Sequence, residues 1–108
     1  MINLEIESRD EKQLRLLAKD LLERKAIYNA QIYPIENLNL SDNGVIKSSK
    51  RFVLKTKTKA KFYSKIEQEV IKNWSGEQPL ICALPLSNFS SELMNFLKKE
   101  TEDIYPVK

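Results

Sequence analysis

The sequence contains no histidine, one cysteine and two glycines among 108 residues. The missing histidine removes every Ser-His or Cys-His catalytic pair and every imidazole metal ligand. The single Cys82 removes an internal disulfide, any CxxC redox pair and any thiolate cage built by one chain. Gly44 and Gly76 lie far apart, so the clustered glycines of a phosphate-cradling loop are absent. No apolar run approaches the ~20 residues of a membrane span. Residues 1–25 carry charges throughout, unlike the apolar core of a signal peptide. The chain is therefore expected to be cytoplasmic, with no membrane partner.

What is present is the balance of a single domain spanning residues 1–108. Hydrophobic residues make up 42% and charged residues 31%, and 18 Lys and Arg against 15 Asp and Glu leave a net charge of +3. Residues 2–7 alternate, with Ile2, Leu4 and Ile6 against Asn3, Glu5 and Glu7, which predicts a half-buried strand. Ser8 with Glu11 three residues on reads as a capping box. Leu14, Leu17, Ala18, Leu21 and Leu22 then form an amphipathic helical stripe.

From Ala26 to Tyr33 the pattern changes to that of a strand, which residues 35–40 extend. Ser41–Gly44 signals a turn, residues 45–50 read as a polar and mobile return arm, and Arg51–Thr58 reads as a further strand. Phe62, Ile66, Val70 and Trp74 fall four apart and predict a second helix. Leu80–Leu84, between Pro79 and Pro85, reads as a short buried strand. Ser90 caps a last helix with Leu93, Phe96 and Leu97 inward, and a loose tail over 101–108 completes the chain.

The order β-α-β-β-α-β with a terminal helix predicts an α+β, ferredoxin-like sandwich. Its helices cover one face of an antiparallel sheet, so a lone chain needs a polar opposite face. Yet both faces of residues 26–33 and 80–84 keep large or apolar side chains. A second copy against the open face would cover them.

With this order in place, Phe62–Pro85 (FYSKIEQEVIKNWSGEQPLICALP) resembles the second helix and last strand of the CutA divalent-cation tolerance family. LLERKA at 21–26, QIYP at 31–34, VLKT at 53–56 and NFLKKE at 95–100 resemble further pieces of that family in the same order. The resemblance implies a trimeric ferredoxin-like domain with PII-like architecture and no attached enzymatic reaction. Departures fall on the family's metal-binding positions. Trp74 stands where the family usually has His, Ser75 and Gly76 replace Pro-Tyr, and Ile27–Asn29 replaces an Ala-Cys segment. The aromatic hairpin of the family is not recognisable in residues 35–45.

Cys82, inside an apolar strand, reads as a buried small hydrophobe. Trp74 reads as a core or interface residue, or as a flat wall for a small molecule between subunits. Glu67 and Glu69 are two apart on a helix and do not face each other, whereas Glu67 sits one turn after Tyr63. Lys47, Lys50, Arg51, Lys55, Lys57, Lys59, Lys61 and Lys65 occur with no acid between Asp42 and Glu67. They suit a solvated face with subunit ion pairs, or an anion site; the low net charge and core-spaced aromatics argue against nucleic acid.

The candidate ligand-binding residues are thus Lys55, Lys57, Tyr63, Glu67 and Trp74, with no catalytic residue, no metal ligand and no cofactor expected. The expected function is non-enzymatic: a homotrimeric binding or scaffold protein linked to divalent-cation tolerance or stress. The alternative is a PII-like sensor of a small anion in inter-subunit clefts.

Overall fold

Strict alternation makes Ile2–Ser8 strand β1, with Ile2, Leu4, Ile6 and Ser8 buried and the residues between them partly exposed. The structure is a computed structural model and describes residues 1–107. Helix α1 runs from Glu11 to Glu23. The expected capping box does not form. Asp10, directly before the first helical residue, accepts the Gln13 N–H at 3.0 Å. Ser8 is one turn too early; its hydroxyl instead accepts the Asp10 N–H at 3.0 Å.

The far end of α1 corrects a second expectation. Lys25 takes a left-handed φ of 58°. The Ala26 N–H reaches back to the Leu21 carbonyl at 2.9 Å, and the Lys25 N–H to that of Leu22 at 3.1 Å. This Schellman closure turns the chain, so residues 26–30 are a connection rather than the start of a strand. Ala26 and Ile27 are both buried, which alternation does not allow.

Strand β2 covers Gln31–Leu40 and β3 covers Ile46–Thr58. The return arm expected to be mobile is therefore the first half of β3. Gly44, at φ 82°, supplies the turn between the two strands. A 3₁₀ turn at Ala60–Phe62 leads into α2, Tyr63–Asn73. Strand β4 is Leu80–Pro85, and α3 is Ser91–Glu100, capped as expected by Ser90.

The sheet order is β2-β3-β1-β4, with every pair antiparallel. Pro34 lies on β2, an edge strand, where its missing N–H is tolerated. Helices α1 and α2 cover one face. Leu14, Ala18 and Leu21 meet Leu4, Ile6 and Leu54 there, together with Phe62, Ile66 and Val70. This is the expected α+β, ferredoxin-like architecture. The β2–β3 hairpin projects beyond the sheet, with Leu38, Leu40, Val45 and Ile46 all more than half exposed. It stretches the chain to 50 × 31 × 20 Å and a radius of gyration of 15.3 Å, against about 13 Å for a compact domain of this length.

The tail is not loose. Thr101 is buried, and the Glu102 N–H donates to the Lys25 carbonyl at 2.9 Å. The Tyr105 ring packs edge-on against Phe62 at 5.4 Å. Residue 108, the end of the expected loose segment, lies outside the described residues.

Candidate functional site

Strand alternation sends Lys55 and Lys57 to the face that the helices leave open. There β1 places Glu5 between Lys55 and Cys82, and Asn3 between Lys57 and Leu84. Glu7 lies between Val53 and Leu80 in the same way. Arg51 lies on this face too, only 6% exposed. Its guanidinium meets Glu7 at 2.7 Å and Glu77 at 3.5 Å.

Cys82 is exposed, against the expectation of a buried side chain. The reason is positional: β4 is an edge strand, and Cys82 alternates onto the uncovered face with Leu80 and Leu84, which are 63% and 62% exposed. An apolar sequence run marks a strand that wants cover; it does not say that the same chain provides it.

Tyr63 and Glu67 lie on the helical layer. One helical turn apart, they meet as expected: the Tyr63 hydroxyl donates to Glu67 Oε2 at 2.8 Å. Burial raises the Tyr63 pKa, and the bond to Glu67 adds to the rise. Trp74 ends α2, eleven residues further on and about 16 Å along the axis. Its side chain packs against the core, with the indole N–H buried and unbonded. One chain therefore holds the five candidate residues in three places: Lys55 and Lys57 on the open face, Tyr63 with Glu67 at the start of α2, and Trp74 at its end.

The best-ordered polar cluster was not among them. Arg24, near the end of α1, bonds Asp20 at 2.8 Å and Glu69 at 2.7 and 3.2 Å, and also donates to the Pro106 carbonyl at 2.8 Å. The Tyr105 hydroxyl donates to Glu69 at 2.7 Å. Burial opposes the Arg24 charge, but the bonds from Glu69 and Asp20 outweigh it and raise its pKa. Burial, then the Glu69 bond, raises the Tyr105 pKa well above the ordinary 10. The i, i+4 pair Asp20–Arg24 was visible in the sequence; the partners 45 and 36 residues away had no local signal.

Next to this cluster, a groove of about 220 Å³ runs along the seam between α1 and α2. Leu16, Leu17, Val70 and Trp74 line it, with Asp20 and Glu69 at one end. The Gln13 side chain closes the other end, donating to the Ser75 carbonyl at 2.8 Å and accepting its N–H at 3.0 Å. Among the described residues, no three His, Cys, Asp or Glu side chains gather as a metal-binding group.

A two-helix layer on one face of a four-stranded antiparallel sheet, with apolar residues on the bare face, defines a small ferredoxin-like protein without a visible catalytic centre. The family model of the CutA1 divalent ion tolerance protein matches residues 4–100, and the chain belongs to this family. The divalent-cation tolerance protein CutA of Archaeoglobus fulgidus is 28% identical over 86 residues, which are 80% of this chain and 83% of that protein. A solved structure from the same organism, of a periplasmic divalent cation tolerance protein CutA, matches with a TM-score of 0.78 at 26% identity, covering 94% of this chain and all of the other. CutA1 from Pyrococcus horikoshii shares the fold at a TM-score of 0.81 and 17% identity, covering 95% of this chain and all of the other.

The family's description names a tolerance and no reaction. The periplasmic relative overturns the expectation of a cytoplasmic protein. No helix among the described residues is long and apolar enough to cross a membrane.

Proposed function

We propose that this protein serves divalent-cation tolerance as a non-enzymatic homotrimer, assembled through the open sheet face and its β4 edge. One observation carries the reading. Leu80, Cys82 and Leu84 stand exposed in a row on an edge strand, over a face with no helix of its own. Lone chains seldom leave apolar patches of more than about a few hundred Å² in water. Beside the row, β1 and β3 present Glu5, Glu7, Lys55 and Lys57, charges of both signs that can pair across a boundary between copies.

Assembly also gives the five candidate residues a common place. Lys55 and Lys57 of one copy would meet Tyr63, Glu67 and Trp74 only across such a boundary, so a small-ligand site built from them is a property of the trimer. The anion-sensor reading is not advanced, because Lys55 has Glu5 beside it in the ladder.

Light scattering after size exclusion at micromolar concentration tests the assembly. The expected mass is about three times the 12.6 kDa of one chain. A monomer there removes the reading. In a host made copper-sensitive by loss of its own CutA, the wild-type chain is expected to restore growth, and a non-assembling variant is not.

A further inference from the structure

We propose that the α1–α2 groove is a binding site for a small amphiphilic amine: an apolar body of about six carbons with an ammonium at one end. The inference is independent of the proposed trimer, because a single chain supplies every wall. Three observations converge on it.

The first is shape. The groove holds about 220 Å³, enough for a short alkyl chain and too little for a nucleotide, whose pockets begin at roughly 300 Å³. It is closed at one end by the two Gln13–Ser75 bonds. From Gln13 to Asp20 it spans seven residues of α1, or about 10 Å, the length of an extended six-carbon amine.

The second is the lining. Leu16, Leu17, Val70 and Trp74 give the long walls their apolar character. Leu16 is 59% exposed although it faces the groove, so apolar surface here is left to water by the chain's own packing. A ligand body covering it gains the usual hydrophobic benefit of burial.

The third is polarity. The apolar walls lead to two carboxylates, Asp20 and Glu69, which share the Arg24 guanidinium. Carboxylate oxygens accept several hydrogen bonds at once, and Arg24 holds these two in fixed positions. An ammonium adds a donor of the favoured sign at that end. A carboxylate head meets two like charges, and a hydroxyl gains only a neutral bond.

The chain's single tryptophan lines the groove, so its emission reports occupancy directly. The test titrates the full-length protein with hexylamine, 1-hexanol and hexanoate, three probes of one shape and different charge. Hexylamine is expected to change Trp74 emission saturably, hexanol to bind at least tenfold more weakly, and hexanoate more weakly again. Leu16→Arg puts a bulky cation on an exposed wall position and is expected to abolish the hexylamine response with an unchanged melting curve. Asn73→Arg, at a second exposed lining residue, gives the same loss if the first variant misfolds.

No saturable change up to about 10 mM hexylamine, corresponding to a binding free energy weaker than roughly 3 kcal/mol, overturns the proposal. Equal binding of hexanol overturns the amine specificity, and an undiminished response in both folded variants overturns the location.

Discussion

The two faces of the sheet are made by the same four strands and have opposite fates. Leu4, Ile6 and Leu54 on one side are covered by the chain's own α1 and α2 and reach zero exposure. One residue along the same strands, the other side carries Glu5, Val53 and Lys55, and β4 adds Leu80, Cys82 and Leu84. The covered face is uniformly apolar because nothing charged can be paired inside it. The bare face mixes charges with apolar side chains, the composition of a surface that meets another protein. A period of two residues is enough to write two different instructions into one strand.

The largest expected effect is on the bare face. Leu84→Lys should leave the circular dichroism of the chain unchanged and reduce the mass in light scattering to that of one chain. A buried unpaired charge costs several kcal/mol, and symmetry repeats it at each interface. If the variant still assembles, the two faces do not differ in the way described.

On the covered face, Phe62→Ala should lower unfolding stability by about 3–5 kcal/mol in urea titrations. Phe62 is 1% exposed and also forms the seat of Tyr105. At the rim of the same layer, Arg24→Met should cost about 2 kcal/mol, because it strips charged hydrogen bonds from Glu69 and Asp20.

Tyr105→Phe removes one hydrogen bond to Glu69 and should cost about 1 kcal/mol near neutral pH. Its pH dependence is more specific. The folded-state pKa of Tyr105 is raised above the ordinary 10. Below that pH the phenol is protonated in folded and unfolded chains alike, and its contribution is fully present. As pH rises past 10, the unfolded chain ionises first and the contribution falls away. Chemical denaturation between neutral pH and pH 11 should show this loss in the wild type and a smaller one in Tyr105→Phe. The smallest effect is expected at the exposed pair Arg15–Glu11, at 2.9 Å, where Arg15→Ala should change stability by no more than about 0.5 kcal/mol.

The covered face was legible in the sequence because local period and burial agree there. The stripe of α1 and the run Phe62, Ile66, Val70 could be read without knowing any partner. The Tyr63–Glu67 bond followed from spacing along one helix. Where period and burial part company, the reading failed. Residues 26–30 look like alternation, yet the Lys25 turn and the Ala26 bond to Leu21 make them a connection. Cys82 was misplaced because hydrophobicity shows a need for cover and not its source. The Tyr105 anchor was invisible, since its meaning lies in Phe62 and Glu69, residues that no local pattern joins to it.

The position of β1 has a consequence for how the chain is made. It is the first strand in the sequence and an inner strand of the sheet, and it pairs Ile2 with both Thr58 and Pro85. The β2–β3 hairpin can zip as soon as residue 58 has left the ribosome, because its partners are near neighbours in the chain. Strand β1 can then join β3, but its other edge stays unpaired until residues 80–85 follow. At ribosomal speeds of about 5–20 residues per second, that edge is open to wrong partners for a second or more. The alternating Asn3, Glu5 and Glu7 put two negative charges on the waiting strand, and such charges discourage pairing with another nascent copy.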